Sequence, residues 1–333
     1  MFRGTLYMFD QADNAGKTED LSNEAVVYQR TLKSPITCVG VGLHSGNEIT
    51  MVLSPATANS GVVFVRTDAS VDPAIIPARW DKVVDTRLCS VLGNEDGVTV
   101  GTVEHVMAAL AGCGVDNVQI TIDGGEVPIM DGSSEPFVAL IESSGVVNQN
   151  EPRRVIRILK RIEVGYGAGH VAISPADTQI IDFEIDFNSN VVKHQEMSLK
   201  VVNGAFRKEL CKARTFGFLH EVEALWEAGL AKGGSLDNAI VVSHDGVMNE
   251  DGLRFDDEFV RHKALDAIGD LYLAGATIIG RFEGVCSGHA ANNKLLHALF
   301  ADDDAWEWDV LRGDAVSTAV DGGIYAEQTA VAE

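Results

Sequence analysis

The sequence predicts an α+β fold built from two units that each mix strands and helices. Within each unit, segments with the two-residue alternation of half-buried strands come first and segments with helical periodicity follow, which favours α+β layers over strict β-α-β alternation. The chain has 333 residues, 46% of them hydrophobic, so it is too long for one typical core and fits about two domains. A polar break at residues 145–154 separates the two units.

The first unit is predicted to contain three strands and two helices. Its strands are ITMVLSP (49–55), GVVFVR (61–66) and VDNVQITIDG (115–124). In VTVGTVEHVMAALAGCG (98–114), Thr102 is a candidate N-cap of a helix that ends at Gly112 or Gly114. The second helix is PFVALIESSG (136–145), with its final glycine as a C-cap.

The second unit follows the same order, although no internal sequence repeat is visible. Its predicted strands are RVIRILKRIEV (154–164), GHVAISP (169–175) and QIIDFEIDF (179–187). Its predicted helices are EVEALWEAGL (221–230), EFVRHKALDAIGDLYLAG (258–275) and KLLHALFADD (294–303). We therefore expect a mobile N-terminal extension over 1–27, a first domain over 28–150, a second domain over 151–307 and a C-terminal tail over 308–333.

The composition excludes several classes of protein. A formal net charge of −23 makes binding to nucleic acid or to anionic lipid unfavourable. The five cysteines are scattered, without C-x-x-C spacing, which argues against a zinc ribbon or a thioredoxin-like pair and is typical of a reducing compartment. No segment has the pattern of a signal peptide or the length of a transmembrane helix. We expect a soluble cytoplasmic protein.

The predicted helix over 258–275 carries four polar side chains on one face. At about 100° per residue, His262, Lys263, Asp266 and Asp270 fall within an arc of about 100°, while apolar residues cover most of the remainder. The i,i+4 spacing of His262 and Asp266 suits two ligands of one zinc ion. The alternative is a buried polar network with a salt bridge to Lys263, because buried charges need a partner or a metal.

Two further motifs carry side chains with complementary chemistry. In TVEHVMAALAG, Glu104 and His105 are adjacent on a helix and can both line one cavity; the alternative is a surface glutamate beside a half-buried histidine. In CSGHAANNK, His289 lies among small residues, which predicts a loop before the last helix. A solvent-exposed loop histidine is the alternative there.

Taken together, these side chains suit a catalytic metal centre. Three of them, His105, His262 and Asp266, would supply ligands to the metal ion. One coordination position would stay open, as in catalytic zinc sites. Glu104 is placed to act as a general base toward water, and a protonated His289 can protonate a leaving amine. Lys263 can neutralise developing negative charge.

Seven longer motifs occur in order along the chain. They are QRTLK (29–33), GVGLHSG (40–46), TVEHVMAALAG (102–112), PIMDGSSEPF (128–137), ARTFGF (213–218), LRFDDEFVRHKALDAIGDLYLAG (253–275) and SGHAANNK (287–294). In this order they resemble the UDP-3-O-acyl-N-acetylglucosamine deacetylase family of lipid A biosynthesis, over about residues 28–307. The resemblance implies a zinc hydrolase that removes the acetyl group from the glucosamine nitrogen.

The resemblance also implies a role for each residue that matches a family motif. The implied zinc ligands are His105, His262 and Asp266. The implied catalytic residues are Glu104 as general base, His289 as general acid tuned by Asp270, Thr215 as an oxyanion donor alongside zinc, and Lys263 as a substrate contact near the reacting centre.

The implied fold packs two α+β domains helix face to helix face, each with a small insert. The second insert, over about 214–254, would form the passage for the acyl chain. Its lining residues by position are Phe216, Val222 and Ala231. Asp186 and Phe187 would hold the uracil end of the substrate. His44, in GVGLHSG, either lines a cleft or is a turn residue.

One departure from the family pattern concerns the nucleotide. The family can offer lysines to the diphosphate, and Gly169 and Cys286 occupy two such positions here. The departure leaves the zinc chemistry unchanged.

Our main hypothesis is a zinc-dependent amide hydrolase that acts as a monomer on an acylated UDP-amino sugar. One alternative is a zinc amidase for a different amide substrate. Another is a non-catalytic scaffold stabilised by a metal ion.

Overall fold

The computed structural model describes residues 25–71, 73–167 and 169–313, and its fold is α+β, as predicted. Most of the expected N-terminal extension and of the expected tail lies outside the described residues. No helix within the described ranges is long and apolar enough to span a membrane.

The described residues form twenty-two strands. Those of the first half are β1 Ala25–Val26, β2 Tyr28–Leu32, β3 Ile36–Val41, β4 Glu48–Pro55, β5 Val62–Arg66, β6 Ala74–Pro77, β7 Val83–Asp85, β8 Val91–Gly93, β9 Thr99–Val100 and β10 Val118–Ile122. Those of the second half are β11 Val146–Pro152, β12 Arg154–Ile158, β13 Ile162–Tyr166, β14 Gly169–Ser174, β15 Ile180–Asp186, β16 His194–Lys200, β17 Phe216–Phe218, β18 Ile240–Val242, β19 Thr277–Ile279, β20 Arg281–Val285, β21 Trp306–Val310 and β22 Arg312–Gly313.

Five α-helices accompany these strands in the described ranges. They are α1 Glu104–Cys113, α2 Glu135–Ser144, α3 Leu219–Glu227, α4 Glu258–Tyr272 and α5 His289–Phe300. A 3-10 turn, Trp80–Lys82, and a π-helical turn, Phe206–Leu210, precede β7 and β17.

Two five-stranded sheets share one strand order. The first sheet runs β3-β4-β10-β5-β6, and the second runs β13-β14-β20-β15-β16. In each sheet, the strand that comes last in the chain, β10 or β20, lies in the middle. It pairs in parallel with β5 or β15, and all other neighbouring strands of the two sheets are antiparallel. The unit over the first half and the unit over the second half therefore have the same sheet topology.

The helices join these sheets into one core. In β4, the alternating residues Ile49, Met51 and Leu53 are buried, and the residues between them are only partly buried. Helices α4 and α5 pack against the second sheet, α2 contacts β3 of the first, and α1 packs against both α2 and α4. The contact between α1 and α4 brings helices of the two units together.

Two of the expected chain boundaries lie next to paired strands. Ala25 of β1 pairs with Gly313 of β22, and β21 pairs with β12. Residue 27, the expected end of the extension, lies between β1 and β2, and residue 307, the expected end of the second domain, lies within β21. The segment β21 is an edge strand, so backbone pairing holds it without the apolar alternation of a buried strand.

Three details of individual elements also differ from expectation. Thr102 does not cap α1, because it has a left-handed φ of 56° and the helix begins at Glu104 without a side-chain cap. Gly114 ends that helix in the left-handed conformation, as predicted. The segment over 154–164 is two strands in two different sheets. His289 is the first residue of α5 rather than a loop residue, because the following alanines favour helix.

Candidate active site

The candidate site lies where α1 and α4 cross. A Cβ built on Gly269 of α4 would lie 2.0 Å from the carbonyl oxygen of Glu104, the first residue of α1. Non-bonded atoms do not approach so closely, so only glycine allows the two helix backbones this separation. The crossing places His105 against the polar face of α4.

Three predicted ligand residues meet at this crossing: His105, His262 and Asp266, whose ligand atoms all lie within 4.8 Å of one another. Nε2 of His105 lies 3.5 Å from Oδ1 of Asp266, and Nε2 of His262 lies 3.3 Å from the same oxygen. This carboxylate oxygen is buried and has no hydrogen-bond partner among the described residues. Because a buried, unpaired carboxylate oxygen is costly, the cluster fits a bound cation.

The charge states of the cluster suit metal binding. Nδ1 of His262 lies 3.0 Å from the carbonyl oxygen of Ala213, so Nδ1 carries the proton and Nε2 is free to bind. Burial lowers the pKa of His262 to about 3, which keeps the ring neutral. Burial alone would raise the pKa of Asp266, but its histidine and lysine neighbours hold that pKa well below its ordinary value. Two imidazoles and one carboxylate form a typical zinc ligand set.

A buried ion pair fixes the segment that supplies the Ala213 carbonyl. Nε of Arg214 lies 2.9 Å from Oε1 of Glu258, the first residue of α4. Glu258 is fully buried. The same carboxylate accepts hydrogen bonds from the backbone N–H groups of Arg214 and Arg254. Arg214 also donates to the carbonyl oxygen of Gly252. The segment before β17 is therefore held against the start of α4.

A ring of four side chains lies beside the three candidate ligands. Nε2 of His289 lies 3.7 Å from Oε1 of Glu104, and its Nδ1 lies 2.8 Å from Oδ2 of Asp270. Ser90 donates its backbone N–H to Oε2 of Glu104 at 3.0 Å and its hydroxyl to Oδ1 of Asp270 at 2.5 Å. The side-chain amide of Asn292 also donates to Oδ2 of Asp270. Both carboxylates are thereby held in fixed orientations.

Burial and neighbouring charge set the protonation states in this ring. Burial raises the pKa of Glu104 above that of an ordinary glutamate, which makes it a better proton acceptor. Burial alone would lower the pKa of His289, but Asp270 and Glu104 raise it to about 10. His289 is therefore a cation at neutral pH and lies next to a carboxylate, so a proton donor and a proton acceptor stand side by side.

Lys263 completes the charge balance of the cluster. Its Nζ lies 3.0 Å from Oδ2 of Asp266, the oxygen that does not face the two histidines. Burial alone would lower the pKa of Lys263, but Asp266 raises it above its ordinary value. The side chain is 21% exposed, so its cation can also reach a molecule bound beside the cluster.

Aromatic side chains connect the metal-binding cluster to an open groove. The ring centroid of Phe216 lies 6.3 Å from that of His262, 5.0 Å from that of Phe259 and 5.8 Å from that of Phe187. Phe187 and Asp186 line a groove with a volume of about 1040 Å³. Phe216, expected at the acyl end of the substrate, and Phe187 and Asp186, expected at its uracil end, therefore lie along one path from the cluster.

The other residues predicted on the second insert lie near this path. Thr215 lies between Ala213 and Phe216, and its backbone N–H donates to the carbonyl oxygen of Gly132. Val222 of α3 is half-buried and lies beside Gly217 of β17, where an added Cβ would be 3.2 Å from its Cγ2.

The loop that carries His44 packs against the same insert. The backbone N–H of His44 donates to Glu126, and its carbonyl oxygen accepts from the N–H of Lys232, the residue after Ala231. Ala231 is buried, with a left-handed φ of 51°. Both ring nitrogens of His44 are buried without a hydrogen-bond partner among the described residues.

The two departures from the family pattern are neighbours in space. A Cβ built on Gly169 would lie 2.1 Å from the carbonyl oxygen of Val285 and 2.8 Å from that of Cys286. A lysine therefore does not fit at residue 169 on this backbone. Cys286 is exposed, with a left-handed φ of 47°. The two positions therefore lie together where β14 pairs with β20.

Sequence reasoning missed four residues that position the site. Asn292 lies three residues after His289, so helical spacing within the SGHAANNK motif was a usable signal. Ser90 belongs to no motif. Ala213 acts through its carbonyl group and Gly269 through the absence of a side chain, so neither has a signature in a single sequence.

Comparison with known proteins identifies the family. The family described as LpxC, UDP-3-O-acyl N-acetylglycosamine deacetylase, matches residues 29–301. A UDP-3-O-acyl-N-acetylglucosamine deacetylase of Phenylobacterium zucineum is 50% identical over 280 residues, which is 84% of this chain and 96% of that protein. The protein of the same name from Photobacterium profundum is 47% identical over 293 residues, 87% of this chain and 96% of the relative. The chain belongs to the UDP-3-O-acyl-N-acetylglucosamine deacetylase family.

Proposed function

We propose that this chain hydrolyses the N-acetyl group of UDP-3-O-acyl-N-acetylglucosamine in lipid A biosynthesis, in a reaction that depends on zinc. Acetate and the free amine would be the products. One observation carries the proposal: a three-ligand cluster and a carboxylate–imidazolium pair occupy the same buried crossing of α1 and α4. The names of the relatives supply the substrate.

We assign the zinc ligands to His105, His262 and Asp266. A bound zinc ion acts as a Lewis acid that polarises the amide carbonyl. The unpaired Oδ1 of Asp266 and the two histidine Nε2 atoms that face it support this assignment.

The proton transfers are assigned to the pair beside the ligands. Glu104, with a raised pKa, accepts a proton from the attacking water. His289, with a pKa of about 10, donates a proton to the leaving nitrogen as the carbon–nitrogen bond breaks. Asp270 fixes the orientation of the His289 ring. Lys263 and Thr215 are assigned to the oxygen that becomes negative during hydrolysis.

The rest of the substrate is assigned to the second unit. Phe216, Val222 and Ala231 would contact the acyl chain, and Asp186 and Phe187 would hold the uracil end, with His44 facing the passage. The continuous aromatic path from His262 to the groove supports this direction. We further propose that the monomer works in the cytoplasm, where its free cysteines remain reduced.

Replacing Glu104 tests the assigned base. Glu104→Gln retains the size of the side chain and an oxygen that can accept the Ser90 N–H. We expect turnover to fall by about 10²–10⁴-fold while zinc remains bound, measured by product formation and metal analysis. Turnover close to that of the wild type would contradict the assignment.

A substrate comparison tests the acyl assignment. We expect the full-length chain to deacetylate the O-acylated UDP-sugar far faster than the same sugar without the acyl chain. Equal rates on the two would instead favour a zinc amidase with a different amide substrate.

A further inference from the structure

We propose that Ser90 is a positioning residue that sets the distance between the proton acceptor Glu104 and the proton donor His289. It does so by holding the carboxylates of Glu104 and Asp270 at the same time. The test by enzyme kinetics below rests on the proposed function. The test by NMR spectroscopy rests on the geometry of the site alone.

The geometry forms a closed circuit. Each carboxylate gives one oxygen to Ser90 and the other to the His289 ring. Glu104 uses Oε2 for the Ser90 backbone N–H and faces Nε2 of His289 with Oε1. Asp270 uses Oδ1 for the Ser90 hydroxyl and Oδ2 for Nδ1 of His289. A movement of either carboxylate therefore alters both contacts of the ring.

Ser90 is itself held firmly enough to serve as a fixed point. It is 2% exposed, and its carbonyl oxygen accepts a hydrogen bond from the backbone N–H of Val103, just before α1. It lies in the insert of the first unit, directly before β8. Its hydroxyl bond to Asp270 spans 180 residues of sequence, so this one side chain connects the first insert to α4 of the second unit.

Electrostatics explains why such a connection is needed. Glu104 and Asp270 are both buried and would repel each other when ionised. The imidazolium of His289 attracts both carboxylates. This attraction alone would leave the ring free to shift between them. Hydrogen bonds to ionised groups are short and strong, and the 2.5 Å hydroxyl bond from Ser90 fixes the Asp270 side of the circuit.

Three variants of the full-length zinc-loaded protein test the proposal. Ser90→Ala keeps the backbone N–H to Glu104 and removes the hydroxyl donor to Asp270. Ser90→Thr restores a hydroxyl at the same position. Ser133→Ala is the matched control, because Ser133 is also a fully buried serine whose hydroxyl donates to a carboxylate, that of Asp131, outside the circuit.

We expect Ser90→Ala to lower kcat by about 10- to 100-fold, the usual effect of removing a group that orients a functional side chain, with KM within about threefold. Ser90→Thr should recover most of kcat, and Ser133→Ala should keep it. A rise in KM without a fall in kcat overturns the proposal. So does a kcat in Ser90→Ala that equals that in Ser133→Ala.

A second readout does not depend on the substrate. In protein with ¹⁵N-labelled histidine, the ring N–H resonance of His289 should shift or broaden in Ser90→Ala and stay in place in Ser133→Ala. An unchanged resonance in Ser90→Ala overturns the positioning role even if kcat falls. If the wild type fails to deacetylate the UDP-sugar, the proposed function fails, and the resonance still decides the role of Ser90.

Discussion

The two units share one topology and contribute differently to the site. In each, four strands are followed by an insert, a helix, a fifth strand that enters the middle of the sheet, and a second helix. By this order α1 corresponds to α4, and α2 to α5. The corresponding helices α1 and α4 are the two that cross at the site.

The difference lies in which part of each helix is used. Unit one offers the first turn of α1, where Glu104 and His105 are adjacent. Unit two offers the middle of the longer α4, where His262, Asp266 and Asp270 recur at four-residue intervals. A repeated scaffold therefore builds an asymmetric site here, because the end of one helix meets the middle of the other.

The inserts occupy corresponding places: β7–β9 lie between β6 and α1 in the first unit, and residues of about 214–254 lie between β16 and α4 in the second. The first insert supplies Ser90, which binds Glu104 and Asp270. The second supplies Phe216, which contacts the His262 ring, and Ala213, just before it, fixes that ring. Each insert therefore orients residues on the helix that follows it.

The largest expected effect comes from separating the two units. In Gly269→Ala the added methyl group would meet the Glu104 carbonyl, so α1 and α4 must move apart. A displacement of about 1 Å can cost about 10²-fold in rate, so we expect kcat/KM to fall by at least that factor, with weaker zinc retention.

Gly165→Ala is the matched control, since a Cβ at Gly165 meets no atom within 4 Å. It should behave as the wild type in both assays. Equal zinc content and turnover in the two variants would show that the crossing does not depend on glycine.

The next effect concerns the second insert alone. Glu258→Ala leaves Arg214 buried without its partner, and breaking a buried ion pair typically costs about 3–5 kcal/mol. We expect a loss of that size in the free energy of unfolding, measured by urea denaturation. Asp309→Ala, which removes the partner of the more exposed Arg157, should cost less than about 1 kcal/mol; similar losses would refute the anchoring role of Glu258.

A smaller effect separates the proposed acid, His289 of the second unit, from the proposed base, Glu104 of the first. The pKa of His289 is raised to about 10, so its protonated form should persist well above the ordinary histidine pKa of about 6.5. The stabilisation from this proton is complete below that ordinary value and is lost as pH rises through the raised pKa. We expect loss of the His289 proton to lower activity on the alkaline side, and protonation of Glu104, whose pKa is raised, to lower it on the acid side.

Asp270→Asn removes one of the two carboxylates that raise this pKa. The alkaline limb of the pH–rate profile should then move to lower pH. A limb that stays in place would remove His289 from the role of acid.

The sequence predicted the parts of this account that depend on local spacing. His262 and Asp266 were found because four residues make about one helical turn, and seven of the twenty-two described strands lie in segments predicted from their alternation. The common topology was not predicted, because the pairing of β10 with β5 joins segments more than fifty residues apart. The circuit through Ser90 was missed for the same reason, as its contact to Asp270 is set by tertiary packing.

Zinc content, measured together with activity before and after chelation, tests the central claim most directly. The account predicts about one zinc ion per full-length chain, loss of deacetylation on chelation with the fold retained, recovery on adding zinc, and loss of zinc in His105→Ala. Full activity without zinc would contradict it. A chain that unfolds when zinc is removed would point instead to a structural metal.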